Sequence, residues 1–272
     1  MIDTLKKEWQ AQISLLLFGI LTVWWFISPS FKPSPDARFL GDFGSIYVIL
    51  AFLGALWGMV IAKKWGGYKS IMGKAILFFS LGLMAQVFGQ VTYAYFSFVL
   101  HVVVPYPSLG DLGYFGSIPI YILGVYYLAK ASGVNITLRL FRKKLQAIIV
   151  PAGMLFTGYY LFLRTYEFDW SNPVKIFLDF GYPLGQAFYV SLAFLAYLLT
   201  RGVLGGIMKS KVLFILGALC MQFLSDYVFL YQSSQGTWSV GGVNDYMYLI
   251  AYFTMTLGLL QLKTVYDHLR ST

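Results

Sequence analysis

Eight long apolar stretches, almost free of charge, constrain the fold of this chain more than any other feature. Hydrophobic residues make up 58% of its 272 residues and charged residues only 11%. This composition leaves too little polar surface to enclose a soluble core, whereas a helix that crosses a bilayer needs about 20 apolar residues. The sequence therefore predicts a single-domain, all-α, polytopic membrane bundle of about eight transmembrane helices. The helices are expected near residues 11–28, 40–62, 74–100, 113–130, 145–165, 174–200, 211–232 and 244–264.

The basic residues are distributed unevenly between the two ends of the predicted bundle. Of the 20 Lys and Arg residues, only four fall on the side away from the N-terminus, namely Lys32, Arg38, Arg164 and Lys175. Basic residues concentrate in the cytoplasmic loops of membrane proteins. We therefore expect a multi-pass protein of the cell membrane with both termini in the cytoplasm. The same asymmetry accounts for the formal net charge of +9, so the expected partner is the lipid bilayer and not nucleic acid.

An aspartate recurs at the start of every second predicted helix. Asp42, Asp111, Asp179 and Asp245 follow one another at nearly equal intervals, and an aromatic residue follows each of them within three positions. A spacing of this regularity predicts four tandem helical hairpins. Their expected bounds are approximately residues 8–64, 74–131, 144–201 and 211–265.

The second half of the chain also repeats polar features of the first half. Gln86 and Gln90 correspond to Gln222 and Asp226, which lie half a chain length later. Since each hairpin holds two helices, successive hairpins enter the membrane in the same direction. We therefore expect parallel repeats, related by an axis along the membrane normal, and not inverted repeats.

Three predicted helices carry polar residues at helical spacing, which places those residues on one face of each helix. The clearest faces run through Gln86 and Gln90 on the third helix and through Asp179, Tyr182 and Gln186 on the sixth. Because exposure of many polar groups to lipid is costly, we expect these faces to converge on one polar pocket in the extracytoplasmic half. The predicted ligand-binding residues are Gln86, Gln90, Asp111, Tyr114, Asp179, Tyr182, Asp226 and Tyr248.

The aspartates also have structural interpretations, which stay open at this point. Asp226 lies inside the seventh predicted helix, where a carboxylate either serves a function or is held by polar neighbours within the bundle. Asp111 and Asp245 lie at helix starts, where a carboxylate accepts hydrogen bonds from free N–H groups. Ser108 and Asp111 resemble a capping box. Asp179 fits this interpretation less well, because Pro173 is a better helix start.

Several chemistries lack the residues that they require. His101 and His268 lie at or beyond the ends of the predicted helices, so they form no metal-binding pair or catalytic dyad. No Lys occupies the middle of a predicted helix, which excludes a retinal Schiff base. Cys220 is the only cysteine, so no disulfide forms within the chain. No metal site is expected, and the sequence identifies no cofactor.

Three short motifs resemble landmarks of the multi-helix membrane input domains found ahead of bacterial diguanylate cyclases and histidine kinases. They are Pro105-Tyr106-Pro107-Ser108-Leu109-Gly110-Asp111, Asp179-Phe180-Gly181-Tyr182-Pro183-Leu184 and Leu224-Ser225-Asp226. The resemblance covers roughly residues 75–265 and implies a sensory domain that binds a ligand. Only nine residues follow Lys263, so signalling is expected to need a separate partner.

A weaker resemblance, through Leu-Ser-Asp-like stretches, is to the eight-helix family that contains lysoplasmalogenases. It implies an intramembrane hydrolase of lipid substrates, with Asp226 and Asp111 as candidates for acid–base work. A transporter of a cation or small solute is a third interpretation of the same residues. Fold class alone does not separate these functions.

Overall fold

The computed structural model describes residues 2–27, 43–102, 104–131, 141–200 and 207–271, and within these ranges the chain forms helices and no β-strand. The prediction of an all-α fold is confirmed. Asp42 lies outside the described residues, as do residues 132–140 and 201–206 of the predicted cytoplasmic segments 131–144 and 201–211. The helices are α1 (Ile2–Lys7), α2 (Trp9–Ile27), α3 (Ile49–Lys64), α4 (Ile71–Ala94), α5 (Gly110–Ala131), α6 (Phe141–Gly158), α7 (Pro173–Thr200), α8 (Ile207–Ser234) and α9 (Val243–Ser271).

Six helical spans within the described residues are long and apolar enough to cross a membrane. The structure is therefore compatible with a multi-pass membrane protein. The number of eight transmembrane helices and the side on which the termini lie stay predictions. The six spans are Trp9–Ile27, Phe43–Lys64, Ile71–Val99, Gly110–Ala131, Lys211–Ser233 and Val243–Arg270.

Six helices pack in a closed cycle, in which each helix contacts the next. The order around the cycle is α3, α4, α5, α7, α8 and α9, and α9 contacts α3 again. α2 packs outside the cycle, mainly against α9, and α6 packs outside it against α7. Side chains from all six helices of the cycle can therefore face a common interior.

Small residues bring neighbouring helices close together in the half toward the chain termini. Gly54 on α3 faces Thr256 on α9, and Gly58 on α3 faces Ser80 on α4; an added Cβ at either glycine would lie 2.1 Å from the facing hydroxyl oxygen. The Ser80 hydroxyl donates to a backbone carbonyl of its own helix and the Thr256 hydroxyl to one of α3. Small residues of this kind let membrane helices approach closely. We call this region, centred on Gly54, Gly58, Ser80 and Thr256, the closed half.

α2 is attached to α9 at both of its ends. Near its start, Glu8 forms an ion pair with Lys263. Near its end, the Trp25 indole N–H donates to the carbonyl of Gly241 at 2.9 Å, and the Trp25 ring stacks on Tyr246 with ring centroids 4.4 Å apart. These contacts place the end of α2 beside the start of α9, where the central cavity lies.

Candidate functional site

A cavity of about 570 Å³ lies at the centre of the cycle, in the half away from the chain termini. This volume falls in the range of sites for small molecules. The helices α4, α5, α7, α8 and α9 contribute to the wall, together with the segments that precede α3, α5, α7 and α9. Within the described part of the chain, ten tyrosines and no Lys, Arg or His line the cavity. The wall also carries four carboxylates, those of Asp111, Asp179, Asp226 and Asp245.

The structure brings all eight residues of the predicted site to the wall of this one cavity. They come from five helices: Gln86 and Gln90 from α4, Asp111 and Tyr114 from α5, Asp179 and Tyr182 from α7, Asp226 from α8 and Tyr248 from α9. Their shared location follows from the cycle of helices. Their role in binding a ligand stays a prediction.

Asp111 both caps a helix and links two helices. Its Oδ2 accepts from the backbone N–H of Ser108 at 2.7 Å, and the Ser108 hydroxyl accepts from the N–H of Gly110 at 3.2 Å. Its Oδ1 accepts from the Tyr182 hydroxyl of α7 at 2.6 Å. The capping interpretation and the cavity interpretation therefore apply to the same carboxylate.

Asp179 lies about two turns inside α7, because the helix begins at Pro173 and the Asn172 side chain accepts from the N–H of Lys175. Its two oxygens accept from the hydroxyls of Tyr106 and Tyr166, each at 2.7 Å. Burial and the hydrogen bond to Asp179 raise the pKa of Tyr166 to about 12, and the same causes raise the pKa of Tyr106 well above its ordinary value. Both tyrosines are therefore protonated donors at neutral pH.

Asp226 is held by residues of two neighbouring helices. Its Oδ1 accepts from the Tyr248 hydroxyl of α9 at 2.7 Å. The Gln222 amide, one turn earlier on α8, donates to the two oxygens at 3.2 and 3.4 Å. A carboxylate in the bilayer interior requires partners of this kind.

The two glutamines of α4 link this helix by hydrogen bonds to α5 and to the segment before α3. Gln90 accepts from the Tyr114 hydroxyl at 2.8 Å and donates to the carbonyl of Gly44 at 2.6 Å. Gln86 donates to the hydroxyl of Ser117 at 2.7 Å. Both glutamines are buried, so the polar stripe predicted on this helix faces the interior.

The predicted site omitted several residues that line the cavity. Asp245 is absent from the predicted site, although both the capping and the cavity interpretation were open for it; its Oδ2 accepts from the N–H of Gly241 at 2.6 Å, and the same side chain lies on the wall. The fourfold spacing of the aspartates is the signal that could have included it. Tyr106 and Tyr166 precede α5 and α7, and no helical periodicity could have identified them.

Two amides on the wall keep buried polar atoms without a hydrogen-bond partner among the described residues. They are Oε1 of Gln186 and both polar side-chain atoms of Asn244. Gln186 is 5% exposed and Asn244 is 1% exposed. Buried polar atoms almost always have a partner, and a polar molecule in the cavity would supply one to these two amides; Gln261, which does not line the cavity, is unpartnered among the described residues as well.

The four carboxylates are spread around the wall and do not form one cluster. Among the described residues, no three His, Cys, Asp or Glu side chains come close enough together to hold a metal ion. Each of the four instead accepts hydrogen bonds from neighbouring protein groups. This distribution suits a molecule that extends across the cavity better than it suits a single small ion.

No protein-family model matches the chain, and no curated protein or solved structure is similar enough to count as a match. The functional interpretation therefore depends on the cavity and on the short sequence motifs.

Proposed function

We propose that the protein is an integral membrane ligand-binding domain with a sensory role, and that the central cavity is its ligand site. The observation that carries this proposal is the presence of unpartnered buried amides, Gln186 and Asn244, on the wall of a polar cavity, with partners counted among the described residues. Buried polar atoms without a partner destabilise the fold; Gln261, outside the cavity, is in the same state, but Gln186 and Asn244 lie on one wall with four carboxylates. A ligand that hydrogen-bonds to these atoms would remove the free-energy cost of burying them without a partner.

We also propose how the bundle is oriented in the membrane and how the signal leaves it. The asymmetry of basic residues supports an extracytoplasmic location for the cavity half of the bundle. The resemblance to membrane input domains supports a sensory role. Signalling would act through a separate protein partner at the cytoplasmic end.

Tandem parallel repeats are also part of the proposal. The order of the cycle supports them, because exchanging α3 with α7, α4 with α8 and α5 with α9 maps every pair of neighbours within the cycle onto another such pair; the outer helices depart from this exchange, since α2 packs mainly on α9 whereas α6 packs on α7. Under this exchange Asp111 of α5 corresponds to Asp245 of α9, and Gln90 of α4 corresponds to Asp226 of α8. The site would then be formed from two related halves.

The proposal is tested by native mass spectrometry of the protein extracted from its own membranes. We expect the wild-type protein to retain a small molecule that Asp226→Asn loses, because this substitution removes a charge from the wall. The matched control is Asp267→Asn. Asp267 is about half exposed, and its weak ion pair with Lys64, 3.8 Å apart, lies far from the cavity. Retention of the molecule by Asp226→Asn, or its absence from the wild-type protein, would contradict the proposal.

The same preparation separates sensing from the alternative functions. A sensor returns the retained molecule unchanged after incubation. An intramembrane hydrolase that uses Asp226 and Asp111 would release a cleaved lipid. A transporter would move the molecule into sealed vesicles that contain the purified protein.

A further inference from the structure

The charges, the spread of the carboxylates and the free acceptors on the cavity wall point to one class of ligand. We infer that the cavity binds an organic cation with two ammonium groups joined by an alkyl chain. This inference rests on the proposed function and specifies the chemical class of the ligand.

The wall carries negative charge without a positive partner. Four carboxylates line the cavity, and none of its described lining residues is Lys, Arg or His. Buried carboxylates require either a cation or hydrogen-bond donors to offset the cost of leaving water. Tyrosine hydroxyls supply donors to Asp111, Asp179 and Asp226, but they supply no charge. A cationic ligand would supply the positive charge that the wall lacks.

The positions of the carboxylates favour an extended cation with two charges. Asp111 lies at the start of α5 and Asp245 at the start of α9, and these helices are three steps apart in a cycle of six. The two carboxylates therefore come from opposite sides of the cavity. A compact monocation can approach only one side at a time, whereas an alkyl chain with an ammonium group at each end can approach both.

Two unpartnered atoms and all four carboxylates on the wall are acceptors, which a ligand with hydrogen-bond donors would complement. Oε1 of Gln186 and Oδ1 of Asn244 are acceptors that lack donors among the described residues, and the carboxylates accept only; on the same wall, Nδ2 of Asn244 and the indole Nε1 of Trp238 are donors that lack acceptors. A primary ammonium group carries three donors and no acceptor. It therefore complements the carboxylates and the two unpartnered acceptors, which a quaternary ammonium group, without an N–H donor, does not.

The aromatic rings complement the remainder of such a molecule. Tyr47, Tyr248 and Tyr252 lie together on the wall, with ring centroids 6.0 to 6.5 Å apart. Aromatic faces pack against methylene groups and attract ammonium groups by cation–π interactions. An alkyl diamine presents both kinds of group.

The inference is tested with 1,5-diaminopentane on the purified full-length protein in an uncharged detergent, by isothermal titration calorimetry. We expect this diamine to bind at least about tenfold more tightly than 1-aminopentane, because a second charge pair adds affinity. Pentane-1,5-diol, which has the same length without charge, should bind more weakly than either amine. Equal binding of the diol and the diamine would overturn the inference.

Two substitutions locate the effect in the cavity. Asp245→Asn should lower the affinity for the diamine to that for the monoamine and leave the affinity for the monoamine nearly unchanged. Gln186→Glu adds a carboxylate to the wall and should raise the affinity for the diamine by about tenfold. Asp267→Asn should change neither affinity. If Asp245→Asn fails to fold, Gln186→Glu decides: no rise in affinity would contradict the inference.

The failure of this inference is distinguishable from the failure of the proposed function. If the diamine does not bind but the extracted protein retains a neutral or anionic molecule that Asp226→Asn loses, the ligand class is wrong and the ligand-binding function stands. If the protein retains no molecule and binds none of the three probes, both proposals fail.

Discussion

The closed half and the cavity half of the bundle are built from the same helices, but the helices approach one another closely only in the closed half. In the closed half, Ser80 and Thr256 donate to backbone carbonyls, and glycines let the helices touch. In the cavity half, polar side chains reach between helices, and Gln186 and Asn244 keep atoms without a partner among the described residues. Satisfied groups and close packing stabilise the fold, whereas unpartnered buried atoms destabilise it. Gln261, which is 1% exposed and lies beyond Thr256 toward the C-terminus, also keeps both polar side-chain atoms without a partner among the described residues, so the halves differ mainly in how closely their helices pack. We therefore expect substitutions at the close contacts of the closed half to change stability most, and substitutions on the cavity wall to change ligand retention.

The largest effect is expected from Gly58→Val in the closed half. Its Cβ would lie 2.1 Å from the hydroxyl oxygen of Ser80 and 2.9 Å from a methyl group of Leu259, so the helices must separate. We expect the free energy of unfolding to fall by about 2–3 kcal/mol, measured by thermal unfolding in detergent. Gly217→Ala is the control: no atom lies within 4 Å of the added Cβ, so stability should stay the same or rise by about 0.5–1 kcal/mol. Equal stability of Gly58→Val and the wild-type protein would contradict the close packing assigned to this half.

Asp111→Ala is expected to have the next largest effect, because Asp111 is the cavity residue with the clearest structural role. The substitution removes the acceptor for the Ser108 N–H and for the Tyr182 hydroxyl. We expect a loss of about 1–2 kcal/mol of stability, again measured by thermal unfolding. Asp267→Asn, which breaks only a partly exposed ion pair, should change stability by less than about 0.5 kcal/mol. If both variants unfold at the same temperature, Asp111 has no capping role.

Tyr248→Phe removes the hydroxyl that donates to Asp226 and leaves the ring in place. Hydrogen bonds between membrane helices contribute about 0.6 kcal/mol on average and up to about 1.7 kcal/mol. We expect a loss in this range together with weaker retention of the cavity molecule. Tyr126→Phe, at a side chain that is 46% exposed, is the control for loss of a tyrosine hydroxyl elsewhere. A loss well above the range would place Asp226 among the determinants of stability, contrary to the contrast between the halves.

The smallest effect on stability is expected from Gln186→Leu. The substitution removes a buried oxygen that has no partner among the described residues. Stability should therefore change by less than about 0.5 kcal/mol, or increase. Retention of the cavity molecule, followed by mass spectrometry, should decrease. A marked loss of stability with unchanged retention would show that Gln186 belongs to the structural core.

The helical fold and the polar faces could be predicted because they follow from local sequence. Gln86 and Gln90 are one turn apart on an apolar helix, and both are buried on the cavity wall. The cost of exposing such groups to lipid directs them inward, whatever the arrangement of the other helices. The regular spacing of the aspartates likewise predicted that Asp111 and Asp179 lie at the same end of the bundle.

The rest of the site depends on tertiary structure that local sequence does not encode. Tyr106 and Tyr166 reach Asp179 from segments outside the helices. Oε1 of Gln186 lacks a partner because no described residue of the neighbouring helices places a hydrogen-bond donor beside it. The position of α2 outside the cycle also depends on packing, because its apolar sequence is compatible with many positions in a membrane protein.

The attachment of α2 to α9 at both ends has a mechanical consequence. Trp25 ties one end of α2 to Gly241, whose N–H is bonded to Asp245, and Glu8 ties the other end to Lys263. The helix contains 19 residues. A helix of that length forms a rod of roughly 30 Å, about the thickness of the hydrocarbon layer. Because both ends are fixed to the same neighbour, the two rods translate together. We therefore expect a displacement of the Gly241 segment at the cavity rim to move α2 and α9 together.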